Sequence, residues 1–239
     1  MISSVSNPKI KALVKLHQSK YRKEQGRFLV ENEHLVLEAI ASERLKELYV
    51  TKPNQLDFQP QQVISEAVAK RLSQTQSLPE MIGVVSKENG TKLLGNVLVL
   101  EDLQDPGNVG TLFRSALSFG YQTIVLTNHS VDYTNDKIIR ASQGALFHLN
   151  ILELSLEQFM ALVKADNYTL LASVVDGGQS IRDLKVNKHA LLLGNEGSGL
   201  KKATEAYCDL RVTIPTTAFE SLNVAIAGSI MMYELSGSN

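Results

Sequence analysis

Apolar and polar positions along the chain follow two rhythms. RFLVEN (27–32), LKELYV (45–50) and MIGVVS (81–86) are short apolar or alternating runs and predict strands. EHLVLEAIAS (33–42) and SEAVAKRLSQT (65–75) carry the three-to-four-residue repeat of helices, the second with Ser65 as its cap. SKENGTKLLGN follows, polar, glycine-containing and without a period. Beyond it NVLVLE is an unbroken apolar run, the mark of a parallel strand covered on both faces. TIVLT, TLLASVV, ALLLG and LRVTI predict further strands, and NVGTLFRSALSFG, SLEQFMALVKAD and SLNVAIAGSIMMYEL the helices between them. This alternation predicts an α/β chain: a small α/β domain over residues 1–90, then a parallel α/β domain over 96–239.

Composition sharpens the picture. Hydrophobic residues make up 44% of the 239 and charged residues 21%, which excludes disorder for the bulk of the chain. A formal net charge of −1 gives no global attraction to polyanions, so a nucleic-acid surface requires local clustering. The first 30 residues cluster Lys9, Lys11, Lys15, Lys20, Arg22, Lys23 and Arg27 against a single acid, Glu24. Ile10, Leu13, Val14 and Leu16 recur near helical spacing after Asn7-Pro8, which predicts a basic amphipathic helix followed by a basic loop. One cysteine, Cys208, excludes a disulfide framework and a cysteine-based zinc site. Five scattered histidines predict no metal. Without an apolar run fit for a leader or a membrane span, the expectation is a soluble cytoplasmic chain with no membrane partner.

Three segments carry candidate chemistry. In EDLQDPGNVGTLFRSALSFG an acidic Pro- and Gly-bearing loop leads from a strand into a helix. Asn108 is the expected N-cap, and Arg114 projects from the first turns towards the loop. Ligands of open α/β sheets sit beyond the carboxyl ends of strands, where this loop lies. In ALLLGNEGSGLKK, three glycines within Gly194–Gly199 suggest backbone wrapped round a ligand. A phosphate loop would need Lys and Ser/Thr where Leu200 and Lys201 stand, and Glu196 would repel phosphate. In VTIPTTAFESLNVAIAGSIMMYEL, a strand ending at Ile214-Pro215 leads to a helix opened by Ser221 or a neighbour, with Asn223 in its first turn.

In this order the three segments resemble the signature motifs of the SpoU (TrmH-like) branch of the SPOUT superfamily of RNA methyltransferases. The first is similar to its Asn-x-Gly-x-x-x-Arg motif through Asn108, Gly110 and Arg114. The second is similar to its Gly-Asn-Glu-x-x-Gly loop through Gly194, Asn195, Glu196 and Gly199. Ile214, Pro215, Ser221, Leu222, Asn223, Val224 and Ala227 resemble its third. KIIRASQGALFHL, with Arg140, Ser142 and Gly144, resembles the segment between the first two motifs. KYRKEQGRFLVENEHLVLEAI resembles the small ribosomal-protein-like substrate-binding domain of many members, with Glu31-Asn32 where the family usually has Glu-Gly.

The resemblance implies an α/β fold with a deep trefoil knot and transfer of a methyl group from S-adenosylmethionine to a ribose 2′-hydroxyl in RNA. It implies no metal, because a sulfonium already makes its methyl electrophilic, and it implies a homodimer. It places the donor at Leu193, Gly194, Asn195, Glu196, Gly199, Ile214, Pro215, Leu222 and Asn223. It makes Arg114 the catalytic arginine, with Glu196 the competing proton acceptor and Asn108, Ser221 and Asn223 as orienting groups. A guanidinium stays protonated, so Arg114 is better suited to clamping a phosphate and stabilising an alkoxide. RNA contacts are expected from Lys9, Lys11, Lys20, Arg22, Lys23, Arg27 and Arg140. A folded N-terminal domain points to large-subunit ribosomal RNA. A transfer-RNA substrate and a non-catalytic assembly factor are the alternatives.

Overall fold

The computed structural model describes residues 1–217 and 221–237. Its contacts divide the chain into two units. The first joins Met1–Glu88 to Asp132–Phe147; the second joins Asn89–Val131 to His148–Asn239. Residues 132–147 stand apart from their sequence neighbours. That segment lies within the second unit's sequence but packs with the first.

In the first unit α1 (Pro8–Val14), α2 (Ser19–Gln25), β1 (Arg27–Glu31), α3 (Glu33–Ala41), β2 (Leu45–Val50), β3 (Gln61–Val63), α4 (Glu66–Leu72) and β4 (Met81–Ser86) follow in order. The sheet order is β1-β4-β2-β3, with β4 antiparallel to both neighbours and β3 parallel to β2. Ile10, Leu13 and Leu16 pack with Val68, Ala69, Leu72, Ile82 and Val84 in one apolar cluster. The basic helix expected at the start is α1, and the basic loop expected after it is instead a second helix, α2, set off by a break. α1 passes into a short 3-10 turn at Lys15–His17 before α2 begins.

Arg22 explains the break and the odd membership of 132–147. It is 5% exposed. Its guanidinium donates to the Leu16 and His17 carbonyls that the broken helix leaves open, at 3.0 and 2.9 Å. It also pairs with Asp132 at 2.7 Å. A second contact ties 132–147 to the first unit: Arg44 lies against the rings of Phe28 and Phe147.

In the second unit β5 (Asn96–Leu100), α5 (Pro106–Ser118) and β6 (Tyr121–Leu126) come first. The chain then lends α6 (Asp136–Ser142) to the first unit and returns with β7 (Asn150–Glu153), α7 (Leu156–Asp166), β8 (Thr169–Ser173), β9 (Gln179–Ser180), β10 (His189–Leu193), α8 (Lys202–Glu205), β11 (Leu210–Thr213) and α9 (Val224–Ser236). All pairings are parallel, in the order β7-β6-β5-β10-β8-β11-β9. The two-residue period of a strand splits β5 between two cores. Val97 and Val99 pack with Phe159 and Val163 of α7. On the other side α5 and α9 cross closely, and a Cβ at Gly228 would stand 2.6 Å from Leu112 and 2.5 Å from Leu193. No described helix is long and apolar enough to cross a membrane.

The Arg22–Asp132 pair has a measurable consequence. Burial pushes the Asp132 carboxyl up, but hydrogen bonds from Thr134 and Ser19 and the Arg22 charge outweigh burial and hold it below its ordinary 3.8. A carboxyl depressed in the folded state adds stability above its unfolded pKa and loses it as pH falls through the folded one. Asp132→Ala leaves Arg22 charged, buried and unpaired, and is expected to cost about 3–5 kcal/mol at neutral pH. Urea titration at pH 7 reads the loss; an unchanged midpoint would refute the role given to the pair.

Candidate active site

Sheet order fixes where the site can form. From β5 the chain builds outward through β6 and β7, then crosses to build β8 on the far side of β10. The strand order reverses between β5 and β10, and crevices for ligands open there at the carboxyl ends. On the β8 side of β10, beyond the carboxyl ends of β8, β10 and β11, lies a cavity of about 470 Å³. Leu193, Gly194, Asn195, Glu196 and Gly199 line it from the β10 side, Ile214 from β11, and Ser221, Leu222 and Asn223 from the start of α9.

The β10 loop is tied shut on itself. Asn195 and Gly199 exchange backbone hydrogen bonds at 3.1 and 2.9 Å. The Asn195 carboxamide oxygen accepts from the N–H groups of Gly197 and Ser198 at 3.0 and 3.3 Å. Two of the glycines thus have structural reasons. A Cβ on Gly194 would lie 2.0 Å from the backbone of Gly199 and of Leu200, and Gly199 has a left-handed φ of +67°.

One carboxylate joins this loop to the first motif. Glu196 accepts from the backbone N–H of Asp105 at 3.0 Å and of Gln104 at 3.3 Å, and from the Asn108 amide at 3.3 Å. Asn108 in turn accepts from the Asn223 amide at 3.1 Å. Asn223 uses its oxygen to cap α9, taking the N–H groups of Ala225 and Ile226. The three segments are thus one hydrogen-bonded chain. Burial pushes the Glu196 carboxyl up, yet bonds from the Asp105 backbone, its own N–H, Asn108 and Gln104 prevail and keep it below the usual range. An ionised carboxylate with its acceptors filled is a weak base.

Several expectations need correction. The N-cap of α5 is Asp105, with Pro106 following; Asn108 stands in the first turn, where its amide is free to reach Glu196. The cap of α9 is Asn223 and not Ser221, which lines the cavity. Pro215, Asn108 and Arg114 are not among the cavity's lining residues. Arg114 is exposed on α5 and has no hydrogen bond or ion pair among the described residues.

In the first unit Arg22 is buried in its ion pair and cannot face a ligand. Lys9 and Arg27 reach Glu47, and Lys20 reaches Glu24, from exposed positions. Lys11 and Lys23 are exposed. Arg140 pairs with Asp136 at 2.6 Å.

Sequence reasoning missed Glu101 and Asp102. Glu101 is 3% exposed and accepts from the Lys201 N–H and the Thr204 hydroxyl, at 2.9 and 2.5 Å. The Asp102 carbonyl accepts from the Asn195 amide at 2.9 Å. Together they hold the β10 loop at entry and exit. The only signal was two acids directly after an apolar strand. No group of three or more His, Cys, Asp or Glu among the described residues is placed to hold a metal ion.

Comparison with known proteins decides the family. The SpoU rRNA methylase family matches residues 95–233, and an MRM3-like substrate binding domain matches residues 7–83. The chain belongs to the SpoU rRNA methylase family. It is 33% identical to the 23S rRNA (guanosine(2553)-2'-O)-methyltransferase RlmP of Bacillus subtilis, over 99% of both chains. It superimposes with a TM-score of 0.88 on the AdoMet-bound rRNA methyltransferase of Sinorhizobium meliloti, at 25% identity over 98% of this chain and 95% of that one. The SpoU methyltransferase AviRb of Streptomyces viridochromogenes shares the fold, with a TM-score of 0.87 at 23% identity over 97% of each chain.

The residues present suit a methyl donor of that kind. Leu193, Ile214 and Leu222 give an apolar seat for an adenine ring, and the ionised Glu196 stands in the same lining, where a cationic group is favoured. Gly194→Ala would force the loop open against its own backbone. S-adenosylmethionine affinity is expected to fall about 100-fold or more, because the cavity wall itself moves. Calorimetry on variant shown to be folded by circular dichroism checks this; near-parental affinity would contradict the steric argument.

Proposed function

We propose that the chain methylates the 2′-hydroxyl of a guanosine in large-subunit ribosomal RNA, with S-adenosylmethionine as donor. The observation that carries the reading is the Glu196–Asn108–Asn223 chain, which ties the first motif segment to the two that line the cavity. The relative at 33% identity over nearly the whole chain supports the guanosine and the ribosomal RNA, as does the matched substrate-binding domain. The cytoplasm follows as the place of action.

When bound, the donor would supply a sulfonium-activated methyl group, the ribose oxygen forming its new bond to carbon as the carbon–sulfur bond breaks with its electron pair left on sulfur and the hydroxyl proton passing to solvent. The chain supplies orientation and charge. Glu196 locks the first motif loop to the β10 loop, so the Asn108–Asn223 pair is held before a hydroxyl arrives. Arg114 is exposed and has no partner among the described residues. It clamps the phosphate beside the target ribose and stabilises the oxygen as its proton leaves. Because the Glu196 acceptors are filled, we assign it the locking role and not that of proton acceptor.

The terminal segment is read as threaded into a trefoil knot. The supporting feature is β11, the last strand, seated between β8 and β9 and not at an edge. A homodimer is read from α9. The helix is apolar on nearly every side, yet Ile226 is 52% and Tyr233 62% exposed, a surface that asks for a partner.

Two measurements test these readings. In single-turnover methylation by folded, donor-loaded enzyme, Arg114→Ala is expected to lose about 100-fold or more in rate. Arg114→Lys should recover only part, since it keeps charge without the planar fork. A rate within a few-fold of parental for Arg114→Ala would remove it from the mechanism. Light scattering should give twice the 26.3 kDa chain mass, and Ile226→Glu should shift the protein to monomer. A monomeric parental protein at micromolar concentration would overturn the dimer.

A further inference from the structure

Beside the donor cavity lies a second cavity of about 300 Å³ that the mechanism above does not use. Asn195, Ser198 and Gly199 line both, so the β10 loop is their common wall. The second cavity is bounded by Glu101 and Asp102, by Gln104 and His129, and by Lys201. Its chemistry is rich in acceptors and has one cation. Glu101 is buried and receives two hydrogen bonds, where a carboxylate has about four lone-pair sites. Asp102 receives the Thr127 hydroxyl at 2.7 Å on one oxygen and the Lys201 ammonium at 2.5 Å on the other. The Lys201 side chain is 59% exposed against 17% for Asp102. An ammonium has three N–H donors, so two remain for a ligand.

Such a site fits a planar group with adjacent N–H donors next to an acceptor. Guanine has that edge: N1–H and the N2 amino group stand side by side, and O6 follows. Adenine and cytosine offer one amino group beside a bare ring nitrogen, which would face carboxylate oxygen and be repelled. Uracil offers one imino N–H between two carbonyls. Enzymes acting on RNA read splayed-out bases by such edge contacts.

We infer that this second cavity receives the guanine base of the nucleotide whose ribose is methylated, with Asp102 accepting from its N–H edge and Lys201 donating to O6. The attached ribose then lies against the wall shared with the donor cavity. The inference rests on the methylation reading above and adds to it the residues that select the base. Asp102 and Lys201 are specificity-determining, not catalytic.

The test uses the full chain, S-adenosylmethionine and unmodified 23S rRNA transcript, with the methylated position mapped. Transcripts are then made with inosine at that position, which lacks the N2 amino group, or with 2,6-diaminopurine, where an amino group replaces O6 and N1 carries no hydrogen. The parental enzyme is expected to methylate either analogue about 10-fold or more slowly than guanosine, because a site built for a hydrogen bond rejects a ligand without it. Asp102→Asn keeps a residue type that tolerates the left-handed φ of 57° at this position. It should bring guanosine and inosine within about threefold of each other, and the ratio of the two rates within one variant is independent of any change in donor affinity. Lys201→Gln, a change to an exposed side chain, should instead narrow the preference over 2,6-diaminopurine. Equal rates on guanosine and inosine, or variants that keep full selectivity, would overturn the subsite. Methylation mapped to adenosine, cytidine or uridine would overturn it and leave the methyltransferase standing. Absence of methylation on any ribosomal RNA would remove the methylation reading, and the subsite with it.

Discussion

The functional end of the second unit depends on the Glu196 carboxylate. The loops after β5 and β10 and the N-terminus of α9 are three separate chain segments, and each costs conformational entropy to fix. Glu196 meets the first two directly, and Asn108 passes the connection to the third. The result is a site ordered before any ligand enters, so the entropy of assembly is not charged against binding.

The sheet supports this from below by division of labour. Strand interiors are apolar on both faces, while charge and amide groups gather at the carboxyl ends. At the other end the His189 ring is sealed in. Its Nδ1 donates to the Asn187 carbonyl, and its Nε2 takes the Tyr121 hydroxyl at 2.6 Å. Burial lowers its pKa, so it stays neutral and serves packing. Cys208 is likewise inert: burial and then the nearby Asp209 and Glu205 charges push its thiol up to about 12.

What the sequence made legible was local. β2 and β4 fall on the expected runs, α4 begins behind Ser65, and the strands of the larger sheet follow their apolar stretches. β7 was not read, because its four residues include the polar Asn150 and Glu153 and show too little period. The residues that motif resemblance assigns to the donor, Pro215 apart, line one cavity; they were legible as a group because they sit on loops whose glycines and amides stand out from packing needs. The roles of Arg22, Glu101 and Asp102 were not, because each depends on a partner about 100 residues away. Arg22 among basic neighbours looks like one more surface charge until its counter-ion is known. Asn108 shows the same limit more gently. Its type suggested a cap, but Asp105 took that place and released Asn108 for the network.

The loan of residues 132–147 to the first unit also bears on how the protein is made. On a growing chain the first 88 residues emerge without the acid that neutralises Arg22 and without Phe147. At about 5–20 residues per second, the wait for them lasts on the order of seconds. During that interval β5, α5 and β6 have already been synthesised. The amino-terminal unit is still the first to be complete, at residue 147, but only after the opening strands and helix of the second unit have been made.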